Sequence, residues 1–188
     1  MLHQQQLLAN LTNEVTDTLQ LIQSLNPADA ALNQPPAPGK WSVAQIIAHL
    51  NTYNRYYLPL IATNLKQSAN KPAPEYYKPG WLGNYFTKSM YSEVVTDKKV
   101  TNKMNAMKDH TPTASVHYHN EATEFGKHLT HMLQLLQQMS TTNIGTTRLP
   151  ITITKLITLK TGDAMRFLVA HQVRHTLQMR NTLAALGK

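Results

Sequence analysis

The sequence predicts an all-α fold, a four-helix bundle with long crossover connections. Apolar residues recur at helical spacing in four separate segments, and polar or proline-rich stretches connect these segments. Four long helices joined in this way are typical of a bundle. The chain has 188 residues, which is enough for one substantial core but short for two. We therefore expect residues 1–188 to form a single domain.

The first two predicted helices have clear boundary signals. The first spans about residues 2–25 and stops before Asn26-Pro27. Its inner positions alternate in spacings of three and four, as in a coiled-coil seam: Leu8, Leu11, Val15, Thr18, Ile22 and Leu25. The second begins at Ser42, which forms a capping box with Gln45. Its apolar stripe contains Ile46, His49, Leu50, Tyr53 and Tyr57, and Pro59 predicts a kink or fraying.

The third and fourth predicted helices span about residues 114–139 and 161–186. The third keeps heptad spacing at Ala122, Phe125, Leu129, Met132, Leu136 and Met139. The inner face of the fourth contains Met165, Leu168, Gln172, His175 and Met179. These two stripes complete the predicted bundle.

Two connecting segments are harder to interpret. Residues 69–112 contain several turn signals and one possible short helix at Trp81–Tyr91, and their role stays open. Residues 149–160 are rich in isoleucine and threonine, which favour strands. A lone strand would have no partner in a helical chain, so we expect an extended crossover there.

Composition excludes several classes of protein. The chain has no cysteine, which excludes disulfides, iron–sulfur clusters and thiolate zinc sites. Its N-terminus lacks the basic and apolar regions of a signal peptide. No segment approaches the length of about 18 apolar residues that a membrane span needs. We expect a soluble, cytoplasmic protein that does not enter a membrane.

The formal charge of +8 raises the question of nucleic-acid binding. The 18 basic residues are scattered, with a modest concentration from Lys88 to Lys108 that contains no arginine. This distribution favours a solvated basic loop. A nucleic-acid binder remains the weakest of the functional hypotheses, and it predicts salt-sensitive binding to DNA or RNA.

Three of the nine histidines form a candidate metal site. His171 and His175 are four residues apart on the fourth helix, so their rings share one face. His49 lies on the apolar stripe of the second helix, where an unpaired imidazole would be costly to bury. A divalent ion would satisfy all three. Such a pair also arises by chance, however, and periodicity alone leaves structural histidines with hydrogen-bond partners as the alternative.

Two other metal arrangements are disfavoured. His128 and His131 face Glu121 and Glu124 on the third helix and could form a surface metal cluster, but a solvated helix face fits them better. A di-iron bundle needs glutamates followed three residues later by histidine. None of the five glutamates has this spacing.

Two segments resemble the signatures of a known family, the DinB-like superfamily. The first is Gly39-Lys40-Trp41-Ser42, followed seven residues after Ser42 by His49-Leu50. The second is His171-x-x-Arg174-His175, followed three residues later by Gln178. The resemblance extends from Leu8 to Leu186.

This resemblance implies a four-helix bundle of DinB/YfiT type, often a homodimer. It implies a divalent metal bound by His49, His171 and His175, for which nickel, zinc, iron and manganese are all compatible. Members of the family are described as metal-dependent hydrolases, and some relatives are thiol S-transferases that use bacillithiol, mycothiol or glutathione. The expected partner is therefore a small molecule, including a low-molecular-weight thiol in the second case.

Both reactions would use the same three histidines, since such an ion can activate water or a thiol. No acidic residue lies on the inner stripes of the second and fourth helices, which slightly disfavours a protease-like hydrolase. Tyr53 is a candidate hydrogen-bond donor to water or substrate, against a role as a core tyrosine. Arg174 is a candidate for binding an acidic substrate group, against a structural salt bridge. A non-catalytic module that metal merely stabilises is the third hypothesis.

Overall fold

The computed structural model describes residues 1–91, 108–113 and 115–188. The described residues form five α-helices: α1 (Gln4–Ser24), α2 (Val43–Gln67), α3 (Trp81–Tyr91), α4 (Tyr118–Met139) and α5 (Thr161–Ala185). Two short 3₁₀ turns lie at Ala30–Asn33 and Lys108–His110. The predicted all-α class is confirmed, as is the short helix at Trp81–Tyr91. None of the described helices combines the length and apolar character that a membrane span requires.

The core lies between four long helices. Helix α2 packs against α4 and α5, and α1 packs against the same two helices from the other side. The inner stripes expected from the sequence are buried except at Leu25 and Ala122, which are half-buried. Four of the buried residues are fully inaccessible to solvent: Val15, Ile46, Phe125 and Met165. These stripes repeat at helical spacing, and burying them is what drives the helices together.

Local signals at the start of α2 fix the position of His49. The Ser42 hydroxyl accepts a hydrogen bond from the Gln45 amide at 3.2 Å, and the Gln45 side chain accepts one from the Ser42 amide at 3.0 Å. This capping box places His49 two turns into the helix. Helix α2 then continues past Pro59 to Gln67.

Helix α3 is held against the start of α5 by a buried carboxylate. Asp163 accepts hydrogen bonds from the Gly80 amide at 2.8 Å and from the Arg166 guanidinium at 3.2 Å. A Cβ at Gly83 would lie 2.3 Å from the Asp163 Cβ, so only glycine allows the two helices to approach this closely. This contact anchors α5 about two turns before His171.

The prediction of an extended crossover without a strand partner at residues 149–160 is wrong. Strand β3 (Arg148–Pro150) pairs antiparallel with β4 (Thr158–Lys160), so the segment folds back on itself and supplies its own partner. Leu149 and Leu159 face each other across this pair and are both buried. The intervening chain turns at Lys155-Leu156, without the glycine or asparagine that usually marks a tight hairpin.

Two helix starts also differ from the sequence expectation. Helix α1 begins at Gln4 because β1 (Leu2–His3) pairs with β2 (Tyr76–Tyr77). Helix α4 begins at Tyr118, later than the predicted start at Ala114, which itself lies outside the described residues. Residues 92–107 of the predicted basic loop lie outside them as well.

Candidate metal centre

The structure brings His49 of α2 together with His171 and His175 of α5. The Nε2 atom of His171 lies 3.2 Å from that of His49 and 3.0 Å from that of His175. All three rings are buried, with 3–8 % of each residue exposed. Among the described residues, these three form a group whose ligand atoms all lie within 4.8 Å of one another.

Hydrogen bonds on the far side of two rings fix their tautomers. His49 Nδ1 lies 2.7 Å from the main-chain oxygen of His110, and His175 Nδ1 lies 2.8 Å from the Oε1 atom of Gln178. Both partners are oxygens that only accept, so each Nδ1 carries the proton. The Nε2 atoms of His49 and His175 therefore present lone pairs towards His171, in the tautomer that binds metal.

The protein alone does not satisfy these converging nitrogens. His171 carries one ring proton when neutral, so it can donate from Nε2 to only one of its two neighbours. The other lone pair would then have no donor. The His171 Nδ1 atom is also buried without a hydrogen-bond partner in the described part of the chain. A cation placed between the three Nε2 atoms satisfies all of them, so this donor set could bind a metal ion.

Burial keeps the three histidines neutral. Desolvation lowers the pKa of His49 to about 4 and that of His175 to about 3, and it lowers the pKa of His171 well below its usual value. Smaller contributions come from the neighbouring histidines and from the positive charge of Arg174. At neutral pH, the rings therefore do not need to lose a proton before they bind a metal.

Aromatic side chains surround the three histidines. The Trp41 ring lies 5.1 Å from that of His49 and 6.4 Å from that of His175. The Phe167 ring is stacked on His171, with centroids 5.9 Å apart. These rings limit the access of water and lower the local dielectric constant, which strengthens electrostatic interactions at the site.

Tyr53 and Arg174, the two other predicted site residues, both lie beside the histidines. The Tyr53 ring is 4.5 Å from that of His171 and 5.2 Å from that of His49. Burial raises the pKa of Tyr53 to about 12, so its phenol is protonated at neutral pH and can donate a hydrogen bond. Arg174 is buried and close enough to lower the pKa of each histidine. The roles of both residues stay predictions.

Sequence reasoning missed His110 and the role of Gln178. His110 lies in the segment 69–112, to which the sequence assigned no role, yet its carbonyl holds His49 and its ring is stacked on Tyr53 at 4.1 Å. No periodic pattern marks this segment, and a main-chain carbonyl leaves no trace in a sequence. Gln178 was detectable, because residues three apart on a helix are neighbours.

The histidine and glutamates on α4, which the sequence offered as a second candidate metal cluster, are paired with other side chains, unlike the three histidines above. We call this group the α4 polar cluster; it comprises Glu121, Glu124 and His128 of α4 with Asn51 and Arg55 of α2. His128 Nδ1 lies 3.0 Å from the Asn51 side-chain oxygen, and the Asn51 amide donates to Glu121 at 2.8 Å. Arg55 donates two hydrogen bonds to Glu124. Each of these groups has a protein partner, and Glu121, Glu124 and His128 are half-buried. The predicted solvated face is therefore wrong, because this side of α4 forms a paired polar contact with α2.

Comparison with known proteins identifies a family. The model of the DinB superfamily matches residues 10–179, a span that contains all three histidines. No curated protein and no solved structure matches the chain.

Proposed function

The chain belongs to the DinB superfamily, and from this premise we propose that it is an enzyme that binds one divalent metal ion and acts on a small molecule. His49, His171 and His175 would hold the ion. The observation that carries the proposal is the convergence of three buried Nε2 atoms, two of them in fixed tautomers. Burying such a group is unfavourable without a ligand.

The donor set limits the choice of ion. Imidazole nitrogen suits nickel, zinc and iron better than manganese, which prefers oxygen ligands, and three protein ligands leave a position open for a further ligand. An ion held by three neutral imidazoles would keep its full charge and would supply Lewis-acid chemistry, which acidifies water or a thiol.

The surrounding residues would orient the ligands and the substrate. The His110 carbonyl and Gln178 hold the rings of His49 and His175 in the binding tautomer. Trp41 and Phe167 restrict solvent beside them. The protonated phenol of Tyr53 supplies a hydrogen bond to negative charge that develops on the substrate, and Arg174 attracts an anionic substrate group.

Hydrolysis is the first candidate reaction for this site, because members of the family are described as metal-dependent hydrolases. One observation favours thiol S-transfer as the second candidate. In the described part of the chain, no carboxylate is among the groups that shift the pKa values of the three histidines. A site without a carboxylate base acidifies a thiol, whose ordinary pKa is about 8.5, more readily than water.

Metal analysis and a turnover screen test the proposal. Protein purified without a histidine tag should contain one divalent ion per chain by elemental analysis. His171→Ala should lose the ion, whereas His117→Ala, which replaces an exposed histidine, should retain it. Wild-type protein should hydrolyse esters or amides, or transfer bacillithiol or glutathione to electrophiles, and removal of the metal should abolish turnover.

The two other outcomes are informative. Bound metal without turnover in either screen would support a non-catalytic module that the ion stabilises. Absence of stoichiometric metal would overturn the proposal. The family resemblance also supports a homodimer, and light scattering should then give twice the chain mass of 21.2 kDa.

A further inference from the structure

Beside the metal centre, three residues form a closed cycle of hydrogen bonds. His49 Nδ1 donates to the main-chain oxygen of His110 at 2.7 Å. The Thr52 hydroxyl donates to the main-chain oxygen of His49, also at 2.7 Å. The Thr52 oxygen lies 2.8 Å from His110 Nδ1 and closes the cycle.

Only one arrangement of protons fits these three contacts. A hydroxyl has a single hydrogen, and the His49 carbonyl can only accept, so Thr52 directs its hydrogen to that carbonyl. The Thr52 oxygen must then accept from His110 Nδ1–H. Each residue thus donates once and accepts once in the same direction around the cycle. The two bonds that share the Thr52 hydroxyl polarise and strengthen each other.

The cycle joins the metal centre to a separate part of the chain. Thr52 and His49 lie on α2, whereas His110 ends the Lys108–His110 turn. The His110 ring is also stacked on Tyr53, which packs against His171. The turn is therefore held at three points, by the His49 ring, by the Thr52 hydroxyl and by the Tyr53 ring.

We propose that Thr52 and His110 are positioning residues, which hold the His49 ring in the orientation and tautomer that present Nε2 to the metal. This inference rests on the proposed metal site. Thr52 does not contact the ion in this scheme. It anchors the His110 side chain, and this anchor keeps the His110 carbonyl on His49 Nδ1. Loss of such outer partners typically weakens metal binding about 10- to 100-fold.

The first test compares threonine variants by zinc affinity, measured in competition with a chromogenic chelator. Thr52→Val keeps the shape of the side chain and removes the hydroxyl, and we expect zinc to bind about 10-fold more weakly. Thr52→Ser should restore most of the affinity. Thr16→Val is the matched control, because the Thr16 hydroxyl makes a similar bond to the carbonyl of Thr12 at 2.8 Å on α1. It should bind zinc like the wild type.

The second test uses His110→Phe, which keeps a ring against Tyr53 and removes the Nδ1 donor. The single variant should weaken zinc binding about as much as Thr52→Val. The double variant should be no weaker than either single variant, because both break the same cycle. Additive losses would instead indicate independent roles and would contradict the proposal.

Hydrogen exchange gives a readout that does not depend on activity. Zinc should slow amide exchange in the Lys108–His110 turn of the wild type, because coupling between the ion and the turn is reciprocal. This effect should shrink in Thr52→Val and persist in Thr16→Val. If the wild type binds no zinc, the proposed metal site itself fails. If it binds zinc and Thr52→Val has the affinity of Thr16→Val, only the positioning role is overturned.

Discussion

The metal centre and the α4 polar cluster both contain helical histidines close to a second helix, yet they differ in what remains unpaired. In the α4 polar cluster, His128 meets Asn51, and Glu124 meets Arg55. At the metal centre, three Nε2 atoms point at one another. The comparison shows that the number of histidines does not define a metal site. What defines it is the absence of other partners for the nitrogens that converge.

The largest expected effect is loss of the central ligand. His171→Ala should weaken binding of zinc or nickel by more than about 100-fold, since even outer partners of a metal ligand contribute up to this amount. Isothermal titration on metal-free protein measures the affinity. His128→Ala in the α4 polar cluster should leave it unchanged. Equal losses in the two variants would remove the distinction between the regions.

Acid should destabilise the metal-free protein through the buried histidines. Folding lowers the pKa of His175 from 6.5 to about 3, so between these values the unfolded chain binds more protons than the folded one. The free energy of unfolding is then independent of this group above pH 6.5 and falls below it, by about 1.4 kcal/mol per pH unit. Urea denaturation at pH 7, 6 and 5 measures the slope. His175→Gln should reduce the slope by that amount, whereas Thr16→Val, which removes no titratable group, should not. Identical slopes in His175→Gln and the wild type would contradict the prediction.

Asn51 tests the opposite property of the α4 polar cluster, namely complete pairing. Its amide donates to Glu121, and its oxygen lies 3.0 Å from His128 Nδ1. Asn51→Ala should lower the free energy of unfolding by about 2 kcal/mol, because it removes a buried amide and leaves its two half-buried partners unsatisfied. Chemical denaturation measures this loss. Metal affinity should be unaffected, and a parallel loss of metal would show that the two regions are coupled.

The smallest effect is expected at the rim of the same cluster. The Arg55–Glu124 ion pair is largely exposed to solvent, so salt and water weaken it. Arg55→Ala should lower the free energy of unfolding by less than about 1 kcal/mol. A loss that persists unchanged in 1 M salt would be inconsistent with a solvated pair.

The sequence was sufficient to predict the helices whose apolar residues recur at regular spacing. The inner stripes of α1, α2, α4 and α5 follow helical spacing, and the same spacing predicted that His171 and His175 share a face. The position of His49 on the stripe of α2 predicted that it points inward. The structure places the three rings together, in agreement with these patterns.

The parts that the sequence did not predict depend on contacts between distant segments. The β3–β4 hairpin turns without glycine, so local turn chemistry did not reveal it. His110 holds His49 through a main-chain carbonyl, a group that every residue possesses. The need for glycine at position 83 comes from Asp163, which lies 80 residues further along the chain and packs against it.

The most direct test of the metal centre is anomalous diffraction from crystals grown with zinc or nickel, recorded at the absorption edge of the ion. We predict one strong peak, about 2.0–2.1 Å from the Nε2 atoms of His49, His171 and His175. A peak located instead between His128 and Glu124, or no peak near the three histidines, would contradict the account.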